Sequence, residues 1–159
     1  MPFELGSLTD GRGANLPWLQ ATPDPITTVT WSTWVEINLN KAKELGIKEG
    51  DIVKIKSEYG EIEAFAYPHP AISPDVLAIP IGQGHESGDR YSSDRGSNVL
   101  SILAPEKDKD SGAWAWGSTR VSISSTGNNL PLSKFENTAP DLSVDKHGHI
   151  IKITSGESK

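Results

Sequence analysis

The sequence predicts a mainly β domain, a small barrel with short helices, and three neighbouring pieces predict it. Trp34-Val-Glu-Ile-Asn38 reads as a strand, the run up to Leu45 as a one- or two-turn helix stopped by Gly46, and Asp51 to Tyr67 as a hairpin turning at Gly60. Together they describe one compact unit of such a barrel.

The elements follow in order. Residues 1–25, rich in Gly and Pro and poor in periodicity, form an extended lead-in. In the first strand Trp34 and Glu36 point to one side, with Glu36 expected on the exposed face rather than in a catalytic role. Asn38 or Asn40 can accept a hydrogen bond from an orphan amide at a helix start, and Leu39, Ala42 and Leu45 fall in one stripe. Gly46 suits the left-handed position past the last turn, where Ile47 can fold back onto Leu45 or Ala42. Val53 and Ile55 share a face opposite Lys54 and Lys56, Glu61 to Tyr67 alternates again, and Glu58-Tyr59-Gly60 supplies the turn between them, with Gly60 available for positive φ.

After Pro68-His-Pro70, the apolar run Leu77 to Ile81 reads as a strand buried on both faces, which places Pro80 near an edge or a bend. Gly82-Gln-Gly-His85 lets backbone amides approach a ligand or another chain, and Glu86 to Gly96 reads as a long exposed loop. Asn98 to Leu103 fits one helical turn, Trp114 and Trp116 share one side of an extended segment, and Val121 and Ile123 share the face of a last strand. The barrel is thus assigned to residues 26–127. Residues 128–159 form an extended arm: Asn128, Asn129, Pro131 and Pro140 mark irregular chain, and His149 to Thr154 can make a strand for which nothing local offers a partner. The isoleucines of that strand suggest docking along another subunit.

At 159 residues the chain suits one barrel with extensions. Its net charge of −6 would repel phosphates over a general nucleic-acid surface. No apolar run approaches the ~20 residues that span a bilayer, and Met1-Pro-Phe-Glu-Leu lacks a charged leader region, so a chain without its own signal or membrane span is expected. Zero cysteines exclude a thiolate-held iron–sulfur cluster and a disulfide. His69, His85, His147 and His149 have no carboxylate spacing that would define a metal site. Without a cysteine nucleophile, a Ser/His/Asp order or paired carboxylates, an independent hydrolase or decarboxylase has little support.

From about Pro17 to Thr126 the chain resembles the C-terminal molybdopterin-dinucleotide-binding domain of the dimethyl sulfoxide reductase family of molybdopterin oxidoreductases. The pieces that carry the resemblance are Gly11-Arg12, Leu16-Pro-Trp-Leu-Gln20, the Trp34 strand, Leu45-Gly-Ile with Gly50-Asp51, Ser57 with Gly60, Ile72 with Pro74-Asp-Val76, Gly82 to His85, and Asn98 to Leu100. Leu16 to Pro25 and Gly112 to Trp116 look most like the large iron–sulfur molybdoprotein-like subunit of alternative complex III.

The resemblance implies a double-psi β-barrel with short helices, of the aspartate-decarboxylase-like or formate-dehydrogenase C-terminal type. It also implies a domain that caps a molybdopterin guanine dinucleotide while other domains or subunits hold the metal and clusters, in a parent complex associated with a membrane. Such a domain is not catalytic alone. The cofactor-binding candidates that match are Gly11, Arg12, Gly82, Gln83, Gly84, His85 and Asn98, with no metal ligand. For Gly82 to His85 the plain alternative is a surface turn, and for Asn98 a helix cap. Arg12, Arg90, Arg95 and Arg120 can each grip phosphate bidentately, Arg12 matching best by position, against a solvated or structural ion pair. The alternative function is a cofactor-free structural module of a quinol-oxidising complex. Retention of the cofactor predicts a polar cleft at these residues; loss predicts that Trp18, Gln20 or their neighbours fill it.

Overall fold

A computed structural model describes residues 1–87 and 90–135, together with the backbone of Ser143–Val144 and Ile150–Ile151. The elements are β1 (Pro2–Phe3), α1 (Pro17–Gln20), β2 (Trp34–Asn38), α2 (Leu39–Glu44), β3 (Asp51–Lys56), β4 (Glu61–His69), β5 (Leu77–Pro80), β6 (Ser122–Asn129), β7 (Ser143–Val144) and β8 (Ile150–Ile151), with 3₁₀ turns at Val99–Ile102 and Trp116–Ser118. The fold is therefore mainly β with few short helices, as expected. Strands pair in the order β1-β5-β2-β4-β3-β6. Pairs β1/β5 and β2/β4 are parallel, and the remaining pairs of this sheet are antiparallel.

β2 lies between β5 and β4, and all five of its residues are buried. Val35 and Ile37 enter the main core with Val53, Ile55, Ala66 and Ile102. On its other side Trp34 packs with Leu5, Leu8 and Val29. This second cluster corrects the expectation for Glu36, which is only 9% exposed and accepts a hydrogen bond from Trp34 Nε1 at 3.3 Å. The face that Trp34 and Glu36 share is covered by the N-terminal lead-in.

α2 starts as its sequence dictates. Asn38 Oδ1 accepts from the amides of Asn40 and Lys41 at 3.0 and 3.2 Å, while its Nδ2 donates to the Ile72 carbonyl at 2.7 Å. Of the apolar stripe only Ala42 is buried; Leu39 and Leu45 are exposed. Gly46 takes φ +68°, and the Ile47 amide returns to the Ala42 carbonyl at 2.8 Å. Replacing Asn38 with Ala should cost about 1–2 kcal/mol, the usual loss of a helix cap. Chemical denaturation checks this, and a loss below ~0.5 kcal/mol would show that the cap contributes little.

The hairpin β3/β4 closes with the Ser57 amide on the Gly60 carbonyl at 2.9 Å. Gly60 does not use the positive φ open to it. Its role is close approach, since a Cβ there would lie 3.3 Å from the Ser101 carbonyl oxygen. β4 runs past Tyr67 to pair Pro68 and His69 with Ile37 and Asn38. Pairing with β3 stops at Phe65, so the missing proline N–H leaves no gap in that ladder. Pro80 is the last residue of β5, beyond the pairing of Leu77 and Ala78 with β2.

Three further segments differ in detail from expectation. The stretch after Glu86 is not uniformly exposed, because Ser92 is buried and a Cβ on Gly96 would overlap Thr33. Trp116 opens a 3₁₀ turn rather than continuing an extended segment, yet the Trp114 and Trp116 rings still meet edge to face at 6.5 Å. β6 continues through residue 128 to Asn129, and residues 133–135 then lie beside 28–30: the Thr30 amide donates to the Ser133 carbonyl and the Phe135 amide to that of Thr28. Lys134 pairs with Glu49 at 2.5 Å. Of the strand expected at His149 to Thr154, only Ile150–Ile151 are described, paired antiparallel with Ser143–Val144; the rest of that expectation falls outside the described residues.

Candidate functional site

The lead-in and the glycine-rich loop after β5 meet. Gly11 and Gly82 take φ +106° and +104°, open only to glycine at ordinary cost. A Cβ on Gly11 would sit 3.1 Å from His85 Cε1 and Nε2, and one on Gly82 would sit 3.2 Å from the Thr9 carbonyl oxygen. The backbones thus touch where side chains would hold them apart. Gly84 lies against Ser97 and Asn98, and its amide donates to the Arg95 carbonyl at 2.8 Å. The structure therefore brings Gly11, Gly82, Gly84, His85 and Asn98 into one set of contacting loops.

Gln83 points the other way. Its Nε2 donates to Gln20 Oε1 at 2.6 Å, Gln20 Nε2 donates back to Gln83 Oε1 at 3.1 Å, and Gln20 Nε2 also reaches the Ala14 carbonyl at 2.7 Å. Both side chains are buried, Gln20 to 1% exposure. A reciprocal amide pair so far from water is a strong brace, because a buried amide that loses its partner is left with no water to replace it. It ties α1 to the loop after β5. Its members stand 63 positions apart, and no local pattern announces it.

The remaining candidates face outward. Arg12 is exposed and forks onto Asp10, with Nε and Nη2 at 2.8 and 2.7 Å from the two carboxylate oxygens. Those bonds hold the Asp10 carboxyl well below the usual carboxylate range and raise the Arg12 guanidinium further. Asn98 is exposed, and its Oδ1 caps the following 3₁₀ turn through the Leu100 amide at 3.1 Å. The cap is thus formed, and the rest of the side chain stays at the surface. His85 is half-buried, with Nε2 3.3 Å from the Gly82 carbonyl oxygen. Trp18 is 64% exposed and fills no cleft.

The backbone around these loops is strained. Thr9, Trp31 and Asp94 hold φ of +52°, +59° and +56° without being glycine, each at a cost of order 1–3 kcal/mol. All three adjoin the site: Thr9 touches Gly82, the Trp31 amide donates to the Gln20 carbonyl at 3.3 Å, and Asp94 precedes the carbonyl that receives Gly84. Among the described residues no group of three or more His, Asp or Glu could hold a metal ion. No helix there is long and apolar enough to cross a membrane. A hollow of about 830 Å³ is lined by Met1, Leu45, Leu77, Trp116 and Ile123 among others; of the arginines considered for phosphate it includes Arg120, and it includes none of Gly11, Arg12, Gly82 to His85 and Asn98.

Comparison with known proteins places these loops in context. The chain is similar to the menaquinone reductase molybdopterin-binding-like subunit of Nitratidesulfovibrio vulgaris, 28% identical over 107 residues that cover 62% of this chain and 16% of that protein. It is also similar to the arsenate respiratory reductase molybdopterin-containing subunit ArrA of Chrysiogenes arsenatis, 34% identical over 115 residues, 67% of this chain and 14% of that protein. Among solved structures it resembles acetylene hydratase from Pelobacter acetylenicus with a TM-score of 0.49 and 15% identity, covering 58% of this chain and 14% of that one. The chain therefore spans only a small part of the length of the curated relatives. Residues 20–115 match the model of the Molydopterin dinucleotide binding domain, a span that takes in Gln20, Gly82 to His85 and Asn98 while leaving Gly11 and Arg12 outside. By that match, over more than half its length, the chain belongs to the molybdopterin dinucleotide binding domain family.

Proposed function

We propose that this chain is the domain of a molybdenum or tungsten oxidoreductase that caps a molybdopterin guanine dinucleotide, with the metal ligands and any iron–sulfur clusters supplied by other domains or subunits. The observation that carries the reading is the convergence of the two glycine loops with His85 and Asn98 at their rim, of which Gly82 to His85 and Asn98 lie inside the span that matches the family. The donor set fits the group. An exposed amide and an imidazole can meet the donors and acceptors of a fused heterocycle, and an exposed guanidinium can meet phosphate. When bound, the cofactor supplies redox chemistry at its metal. Gly11, Gly82 and Gly84 keep the surface low enough for close approach, Arg12, His85 and Asn98 offer polar atoms, and Gln83 braces the loop from behind. The parallel pairs β1/β5 and β2/β4 within an otherwise antiparallel sheet support a double-psi path.

A second reading, a cofactor-free module of a membrane-associated quinol-oxidising complex, is favoured by one observation: the Gln20 and Gln83 amides satisfy each other instead of facing a ligand. Exposed Trp18 speaks against a filled cleft. The intact parent assembly should contain molybdenum or tungsten and pterin in fixed ratio to this chain, measured by elemental mass spectrometry and by fluorescence of the released pterin. An assembly with full subunit content and no pterin would establish the second reading.

A further inference from the structure

The two end strands of the six-stranded sheet, β1 and β6, each pair on one side, β1 with β5 and β6 with β3. Both ends line the hollow of about 830 Å³: Met1 and Pro2 from the first, Val121 and Ile123 from the second, with the core residues Ile37 and Ile102 reaching it as well. The hollow is a seam between the ends of the sheet.

β6 lacks the usual protection of a free edge. Ser122 to Ser125 pair in register with Lys56 to Val53, the register shift in this pair falls after that run, and from Val121 to Asn129 no charged side chain or proline keeps another strand off. Its inward face is also incompletely covered. Val53 and Ile55 on the neighbouring strand are fully buried, whereas Val121 is exposed and Ile123 is only partly covered by the core.

The kind of occupant follows from what the seam leaves open. Backbone N–H and C=O groups along an edge call for an extended polypeptide, because an acyl chain offers them nothing in return. The lining also includes Arg120 and Asp75, neither of which enters an ion pair among the described residues, while Lys41 is already held by Glu44. One charge of each sign suits a peptide carrying an acid and a base and not a single-headed amphiphile. A second β6, uncharged from Val121 to Asn129, would meet neither. The chain covers 16% and 14% of two of its curated relatives, so a parent protein of that kind has ample chain to supply the strand.

We propose that the seam between β1 and β6 is a docking groove for an extended strand from another domain or subunit of the parent assembly. The strand pairs along β6, sets alternate apolar side chains into the hollow and brings a carboxylate to Arg120. That such an assembly exists rests on the function proposed above; the groove itself needs no bound cofactor.

The test compares amide hydrogen exchange in the 159-residue chain with that in the intact parent assembly. Alternate amides of Ser122 to Ser125 face away from β3 in such a ladder, so they should exchange freely in the chain alone and slow by about tenfold or more in the assembly. Val121→Asp should leave the thermal midpoint of the chain alone nearly unchanged, because the side chain is already exposed, and should abolish the slowing in the assembly. A photoreactive benzophenone side chain placed at position 121 of the assembly should capture a segment outside these 159 residues, identified by mass spectrometry. Equal exchange in the two natural preparations would overturn the proposal without any variant. Slowing that survives Val121→Asp, capture of a second copy of this chain, capture of a lipid, or no adduct would overturn it too. Slowed β6 amides in a pterin-free assembly would sustain the groove while removing the cofactor reading; a pterin-bearing assembly with freely exchanging β6 amides would do the reverse.

Discussion

Replacing Trp34 with Ala should remove about 3–5 kcal/mol of stability, the range for deleting a large buried aromatic. The indole is 1% exposed, packs with Leu5, Leu8 and Val29, and meets the Phe3 ring edge to face at 6.4 Å. Truncation opens a cavity between β2 and the lead-in, and it also takes the Nε1 donor from buried Glu36. A chain of this size has on the order of 5–15 kcal/mol in total, so the loss should lower the denaturant midpoint steeply. Trp34→Phe separates the two effects. It keeps most of the packing while leaving Glu36 without that donor, and should cost roughly 1–3 kcal/mol. Indistinguishable midpoints for Trp34→Phe and the natural chain would show that the indole N–H contributes nothing to holding the carboxyl group.

Gly84→Ala should cost at least ~3 kcal/mol, although it adds a single methyl group. Gly84 takes φ +82°, and the added Cβ would lie 2.0 Å from the Asn98 amide nitrogen and 2.3 Å from the Ser97 carbonyl carbon. Neither atom belongs to a flexible side chain, so the loop after β5 must separate from residues 97–98, breaking the bond from the Gly84 amide to the Arg95 carbonyl. Gly46→Ala is the matched control: φ is +68° there, but the added Cβ meets nothing within 4 Å. Only the left-handed backbone is penalised, by roughly 1–2 kcal/mol. Equal losses at the two positions, measured by thermal and chemical denaturation, would mean that packing of Gly84 against Asn98 is unimportant.

Those two glycines also mark what a sequence can and cannot reveal. Gly46 was legible because its cause is local: Asn38 starts a helix, Ala42 sits on its inner side, and a glycine must follow the last turn for Ile47 to fold back. The hairpin β3/β4 was legible for the same reason, through alternation about a short turn. Gly84 was legible only as a loop glycine that permits close approach, since the segment it touches is about a dozen residues on. Glu36 illustrates the limit. Alternation places it beside Trp34, but whether that shared face is wet depends on Leu5 and Leu8, which lie some thirty positions earlier.

β6 was legible only as far as Ser124 because Ser125 to Asn129 carries no apolar alternation; those residues pair through backbone and polar side chains, such as the Thr126 hydroxyl on the Ile52 carbonyl at 2.8 Å. The candidate residues Gly82 to His85 and Asn98 were read from motif order, which carries no information on where the Gln83 side chain points. A polar side chain beside two glycines looks like a ligand group. Here Gln20, arriving from the lead-in, captures it.

The most direct test of the account is the three-dimensional structure of the intact parent assembly as purified, by electron cryomicroscopy, at a resolution that shows side chains. The expected result is a dinucleotide lying across the rim formed by Gly11–Arg12, Gly82 to His85 and Asn98, within hydrogen-bond distance of His85 or Asn98. Side chains of another domain packed over that rim, with no ligand beneath them, would contradict it.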